Sequence, residues 1–224
     1  MKMTAIPPPP PENIAAKKWV PVLLIGVIGI GVVLAAYILI GGFQTVELPL
    51  MLLIVLWGAW GYNRGAVRGL LTVIILYVAT AFAALGHAFA APYVAAVQQV
   101  ARFDLGASLD QATRSSIALA FILLTLVFWG ILELLRRGLI PSESSGYQTN
   151  ILDGLFGVGI HILVGVLVAA IIFNAYGYGP SRPIHNYARL RPYLNQILYL
   201  LYSAQSFWFG GNPPPLYTYD LYTR

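Results

Sequence analysis

Residues 19–46 read WVPVLLIGVIGIGVVLAAYILIGGFQTV and carry no formal charge. A helix needs about 20 apolar residues to cross the hydrocarbon of a bilayer, and this stretch is longer than that. A cleaved signal peptide has a shorter apolar core and a small-residue cleavage site, so the stretch predicts a retained transmembrane helix over 20–42. The whole chain is biased the same way: 58% of its 224 residues are hydrophobic, 9% are charged, and the mean hydropathy is +0.75. A soluble domain carries roughly 25% charged residues. The composition excludes a cytosolic enzyme, a secreted disulfide scaffold and a disordered tail. With no cysteine there is no disulfide or thiolate chemistry.

Four further spans follow. The second, 46–62, starts with Glu47 and Pro49 at an interface and ends in Trp57, Trp60 and Tyr62, an aromatic-belt position. A basic connector, Asn63 to Arg68, leads to the uncharged run Gly69–Ala101. That run predicts a crossing over 70–91, an end near Pro92 and an interfacial continuation. Residues 102–114 form a polar loop. Ser115 and Ser116 are expected to cap a fourth span, 115–135, that closes on Arg136 and Arg137. After a Ser/Gly/Pro-rich loop over 138–152, the fifth span covers 154–177. Leu190, Leu194, Ile197, Leu198 and Leu201 then recur at helical spacing among polar and aromatic residues, the pattern of an amphipathic helix lying in the interface. The expected fold is therefore all-α: a polytopic bundle of five transmembrane helices plus an interfacial C-terminal helix.

Both ends differ from this core. Residues 1–18 form a leader whose run Pro7–Pro11 favours polyproline II. Residues 204–224 form an arm with Pro213–Pro215 and several tyrosines, suited to docking on a partner. Division of the chain gives the leader, an additional helix over 19–45, a membrane domain over 46–203, and the arm.

The net charge of +5 reads as topology setting and contact with anionic lipid, not as a nucleic-acid surface. With the N-terminus in the cytoplasm, Lys2, Lys17, Lys18, Arg64, Arg68, Arg136 and Arg137 lie inside, and Arg102, Arg114, Arg182, Arg189, Arg191 and Arg224 outside. Arg64/Arg68 and Arg136/Arg137 abut span ends in short connectors, where charge weighs most, so the weighting favours a cytoplasmic N-terminus and an extracytoplasmic C-terminus.

Two constellations stand out. Gly61, Gly65 and Gly69, four apart, surround Arg64 and Arg68; glycines at that spacing let backbones approach. Asp153, Gly157, His161, Gly165 and Ala169 form a matching ridge on the fifth span. Asp153 shares a side of the membrane with Arg64 and Arg68, and an ion pair to one of them is expected to clamp the second, third and fifth spans. His161 and His87 are imidazoles within apolar spans and so the candidates for a cofactor contact; Ala83-x-x-x-His87 resembles the pigment-ligating spacing of antenna polypeptides. Neither histidine has a second ligand at metal spacing, so no metal is expected. No HExxH, Walker or GxSxG motif and no paired carboxylates occur, so no catalytic residue is assigned.

Arg64-Gly65-Ala66-Val67-Arg68 between two apolar spans resembles the RGxxR connector of the CvpA (colicin V production protein) family. Glu47 matches an acidic position at the start of that family's first span. Asp153, Gly157 and Gly165 are similar to its later D-x-x-x-G and glycine pattern, and 181–203, with Pro183 and Pro192, to its amphipathic C-terminal helix. The resemblance covers about 46–203; it departs from the pattern at Gly154, His161 and Val164, and the helix over 20–42 is an addition. It implies a small polytopic protein of the bacterial inner membrane without recognised enzymatic chemistry, associated with colicin V export and envelope homeostasis.

The expected role is a non-enzymatic scaffold or assembly subunit without cofactor, its partners being membrane lipids and other integral membrane proteins. Two alternatives are an accessory subunit of a photosynthetic or respiratory complex with His161 or His87 touching a pigment or haem, and a component of solute or peptide export.

Overall fold

The structure, a computed structural model, describes residues 14–102, 109–139, 150–176 and 188–209. These residues form helices without a strand: α1 (Ile14–Ile40), α2 (Glu47–Arg102), α3 (Leu109–Leu139), α4 (Ile151–Tyr176) and α5 (Arg191–Phe209). Four of them, α1 to α4, are long and apolar enough to cross a membrane. The Pro7–Pro11 run, the loop residues 140–149 and the arm from 210 onward lie outside the described residues.

The expected second and third spans are one helical element broken at a single residue. Gly65 has φ +74° and ψ 172°, conformations closed to a residue with a side chain, and the helix resumes at once. The two arms, before and after Gly65, double back. Along the first arm, Gly58 faces Ile162 and Gly61 faces Gly157, antiparallel to α4. Along the second, Gly65 faces Gly157 and Gly69 faces His161, parallel to α4. The basic connector predicted over 63–68 is thus a one-residue hinge with helix on both sides.

Three further expectations change. Pro92 does not end its helix, which runs on to Arg102. It sits about 40 Å along the second arm from Gly65, at 1.5 Å per residue, past a hydrocarbon layer roughly 30 Å thick, where water can satisfy the carbonyl that proline leaves unpaired. Ser115 and Ser116 are not caps, because α3 already starts at Leu109; Ser116 is buried inside the helix. And α1 begins at Ile14, within the expected leader, and carries Pro21 in its early turns.

The core lies between α2, α4 and α5. Leu76, Val164, Ala169, Ala170 and Phe173 pack with Leu194, Leu198, Leu201 and Tyr202. The amphipathic face read for α5 is therefore the face that closes the bundle, while Tyr193, Tyr199 and Leu200 point outward. α3 runs antiparallel to the second arm, with Phe128 beside Phe82 (5.4 Å between centroids) and Phe121 beside His87 (6.4 Å). α1 lies along the first arm through Gly26 against Ala59 and Gly29 against Val55.

Candidate functional site

The ridge and the glycine triplet meet, as their spacing implied. A methyl group on Gly61 would lie 2.5 Å from the Gly157 carbonyl oxygen, and one on Gly157 would lie 2.5 Å from the Gly61 oxygen and 2.9 Å from Gly65 Cα. Only hydrogen fits between these backbones. Higher on the same seam, Gly165 approaches Ile54 Cα, where a methyl would sit 3.0 Å away.

Asp153 performs the clamping, but not by the expected ion pair. Its Oδ1 accepts the Ala66 N–H at 3.0 Å, and its carboxylate lies against Gly65. Among the described residues neither Arg64 nor Arg68 forms an ion pair with it. The reason is geometric. Breaking the helix at Gly65 exposes the first N–H groups of the second arm, and a carboxylate arriving on the first turn of α4 caps them from across the seam, as an N-cap side chain would from its own chain. Asn150 starts α4, its carbonyl accepting the Gly154 N–H at 3.0 Å.

Glu47 plays the same part at the opposite end. It is fully buried. One carboxylate oxygen accepts the Gln44 N–H at 2.5 Å and the other the Leu190 N–H at 2.6 Å, one residue before α5. The first bond is half of a capping box within α2; the second ties the start of α5 to the start of α2. The interfacial charge predicted at Glu47 is thus an interior bracket. Its long-range partner left no sequence signal beyond Pro192 in the first turn of α5.

His161 is fully buried between the two arms. Its Nδ1–H donates to the Gly157 carbonyl at 2.9 Å, which leaves a lone pair on Nε2, and that atom has no partner. Methyl groups on Gly61 and Gly69 would fall 2.5 Å and 2.9 Å from the ring. The imidazole fills the space the glycines open. His87 is also buried and donates from Nδ1 to the Ala84 carbonyl at 2.6 Å within its own helix. Among the described residues no three His, Cys, Asp or Glu side chains gather as metal ligands.

Two contacts were not foreseen. The Arg64 guanidinium lies 3.7 Å over the Trp60 ring, a cation–π arrangement. Gln205 donates to the Tyr77 carbonyl (3.0 Å) and to Thr80 Oγ1 (2.6 Å), joining α5 to the second arm. Isolated polar residues in apolar runs, Thr80 and Gln205, were the available signal.

This is a polytopic helical membrane protein in which two carboxylates, Glu47 and Asp153, bracket helix starts. The family described as Colicin V production protein matches residues 46–198, and the chain belongs to that family. The match begins next to Glu47 and ends within α5; α1 precedes it. No curated protein and no solved structure matches the chain.

Proposed function

We propose that the protein is a non-enzymatic scaffold or assembly subunit of a bacterial inner membrane, crossing it five times, with a cytoplasmic N-terminus and an extracytoplasmic C-terminus. The reversal at Gly65 supports five crossings, since the two arms of α2 each pass α4 in opposite senses. The gathering of Arg64, Arg68, Arg136 and Arg137 at the Gly65 end supports that end as cytoplasmic. The single observation behind the scaffold reading is the use made of the two carboxylates in the helix seams. Glu47 and Asp153 each accept a backbone N–H from a distant segment, Leu190 and Ala66, and so hold helices together. A proton or ion relay needs a chain of ionisable groups free to change partners, whereas these two are fixed on backbone and His161 stands alone with its Nε2 unpartnered. The outward faces of α1 and of α2 beyond Phe82 remain apolar and aromatic, with the tilted rings of Phe89 and Tyr93 5.7 Å apart on the surface, and suit contact with partner membrane proteins within and at the border of the hydrocarbon.

Copurification in mild detergent, followed by mass spectrometry, tests the reading. It expects stoichiometric integral membrane partners that are lost on replacing Phe89 and Tyr93 by Ala. Recovery of the protein alone and monodisperse, with unchanged cell phenotypes in those variants, rejects it.

A further inference from the structure

At the Gly65 end, charge accumulates faster than it is neutralised. Arg64 lies within electrostatic reach of Arg68, Arg136, Arg137 and the carboxylate of Glu133. Glu133 is already engaged: it binds Arg136 through two bonds of 2.5 and 2.8 Å and touches Arg137 at 3.3 Å. Asp153, the other carboxylate at this end, is spent on the Ala66 N–H. Among the described side chains at this end, four guanidinium groups and two carboxylates leave a surplus of two positive charges. Arg68 is exposed, the Arg137 side chain is 67% exposed, and Arg64 is braced on the half-exposed ring of Trp60.

What surrounds these arginines decides what they bind. Val67, Leu70, Leu134 and Leu135 alternate with them in sequence and are all more than half exposed. An apolar surface at that level cannot face water on one side of the bundle while guanidinium groups occupy the other, unless the border of hydrocarbon and headgroups runs through it. A free anion or an acidic peptide would leave the leucines uncovered. A molecule with a phosphate head and acyl chains covers both.

We propose that the surface shared by the Gly65 hinge and the C-terminal end of α3 is a binding site for the phosphate headgroup of an anionic phospholipid. Arg64, Arg68 and Arg137 hold the phosphate, with Trp60 positioning Arg64, and the acyl chains lie along Val67, Leu70 and Leu134. Arginine suits this because its planar fork takes two phosphate oxygens at once. The site is independent of which protein partners the scaffold engages.

The test uses the full chain in nanodiscs of phosphatidylcholine alone or doped with phosphatidylglycerol or cardiolipin, read by native mass spectrometry and thermal unfolding. Wild-type protein should retain the anionic lipid and melt higher in its presence. At roughly fivefold per basic residue, Arg68→Gln with Arg137→Gln should weaken retention about 30-fold while leaving the fold, read by tryptophan fluorescence, unchanged. Replacing both by Lys should recover part of the loss. Retention equal to wild type in the Gln variant overturns the proposal. So does displacement of the lipid by inorganic phosphate or by polyglutamate at matched charge, which would assign the surface to a free anion or an acidic protein. Should the double variant fail to fold, Arg137→Gln alone, on an exposed side chain, must still lower retention several-fold.

Discussion

α1 and α4 are near twins by sequence and opposites in the fold. They contain 27 and 26 residues, each holds a long apolar run, and neither has a basic residue in its last turn. Yet 11% of the apolar window of α1 is buried, against 44% for α4. Hydrophobicity therefore says that a segment enters lipid but not where in the bundle it goes, because lipid tails are as apolar as leucine. What separates the two is what else they carry. α4 has glycines in register with those of α2, a carboxylate on its first turn and a histidine that fills the gap between two glycines. α1 has glycines too, but Gly31 meets nothing, and Gly29 meets a side chain, that of Val55, where Gly61 and Gly157 of the α2–α4 seam meet backbone.

Substitutions at matched positions test this contrast. The largest effect is expected for Gly157→Leu, which drives a side chain into the Gly61 and Gly65 backbones; a loss of about 3 kcal/mol or more, seen as failure to purify in a monodisperse form, is expected. Glu47→Ala comes next, at roughly 2–4 kcal/mol for two buried N–H groups left without an acceptor, read as a lowered Tm and as protease access to the start of α5. Asp153→Ala should cost about 1–2 kcal/mol. Asp153→Asn should recover most of that loss, because the partner is a backbone N–H and a neutral oxygen still accepts it; an Asn variant as poor as Ala would restore the arginine ion pair as the clamp. Gln205→Ala should cost about 1 kcal/mol and loosen α5, visible as faster amide exchange there. Gly31→Leu should fall within about 0.5 kcal/mol of wild type; a large loss there would show that α1 is as tightly held as α4.

The parts of the fold that were legible in the sequence were those written in repeated positions. The ridge from Asp153 to Gly165 and the leucine face of α5 repeat at helical spacing and are both used for packing. The α5 face, however, closes the bundle where an interfacial helix was expected, and the triplet Gly61–Gly69 is split between two arms by the break at Gly65. What escaped was written in single residues. One backbone conformation at Gly65 turns a connector into a hinge, and nothing in the residue's neighbours signals its sign of φ. The partners of Asp153 and Glu47 escaped for another reason: both bind backbone N–H groups, which every residue but proline has, so no side-chain pairing advertises them. Arg64 and Arg68 were natural partners by charge, but an arginine at the interface loses less by facing headgroups than an N–H loses by being orphaned at a helix start.

The hinge also constrains how the protein is made. With one residue between its arms, α2 offers the insertion machinery no loop to hand across, so under the proposed five crossings the arms would enter the bilayer as a pair. The cap on Ala66 comes from a residue 87 positions later. At ribosomal speeds of roughly 5–20 residues per second, the hairpin waits about 4–17 s for Asp153 to emerge. During that interval glycine alone keeps the bend, and a chaperone or insertase that shields nascent hairpins has its window there.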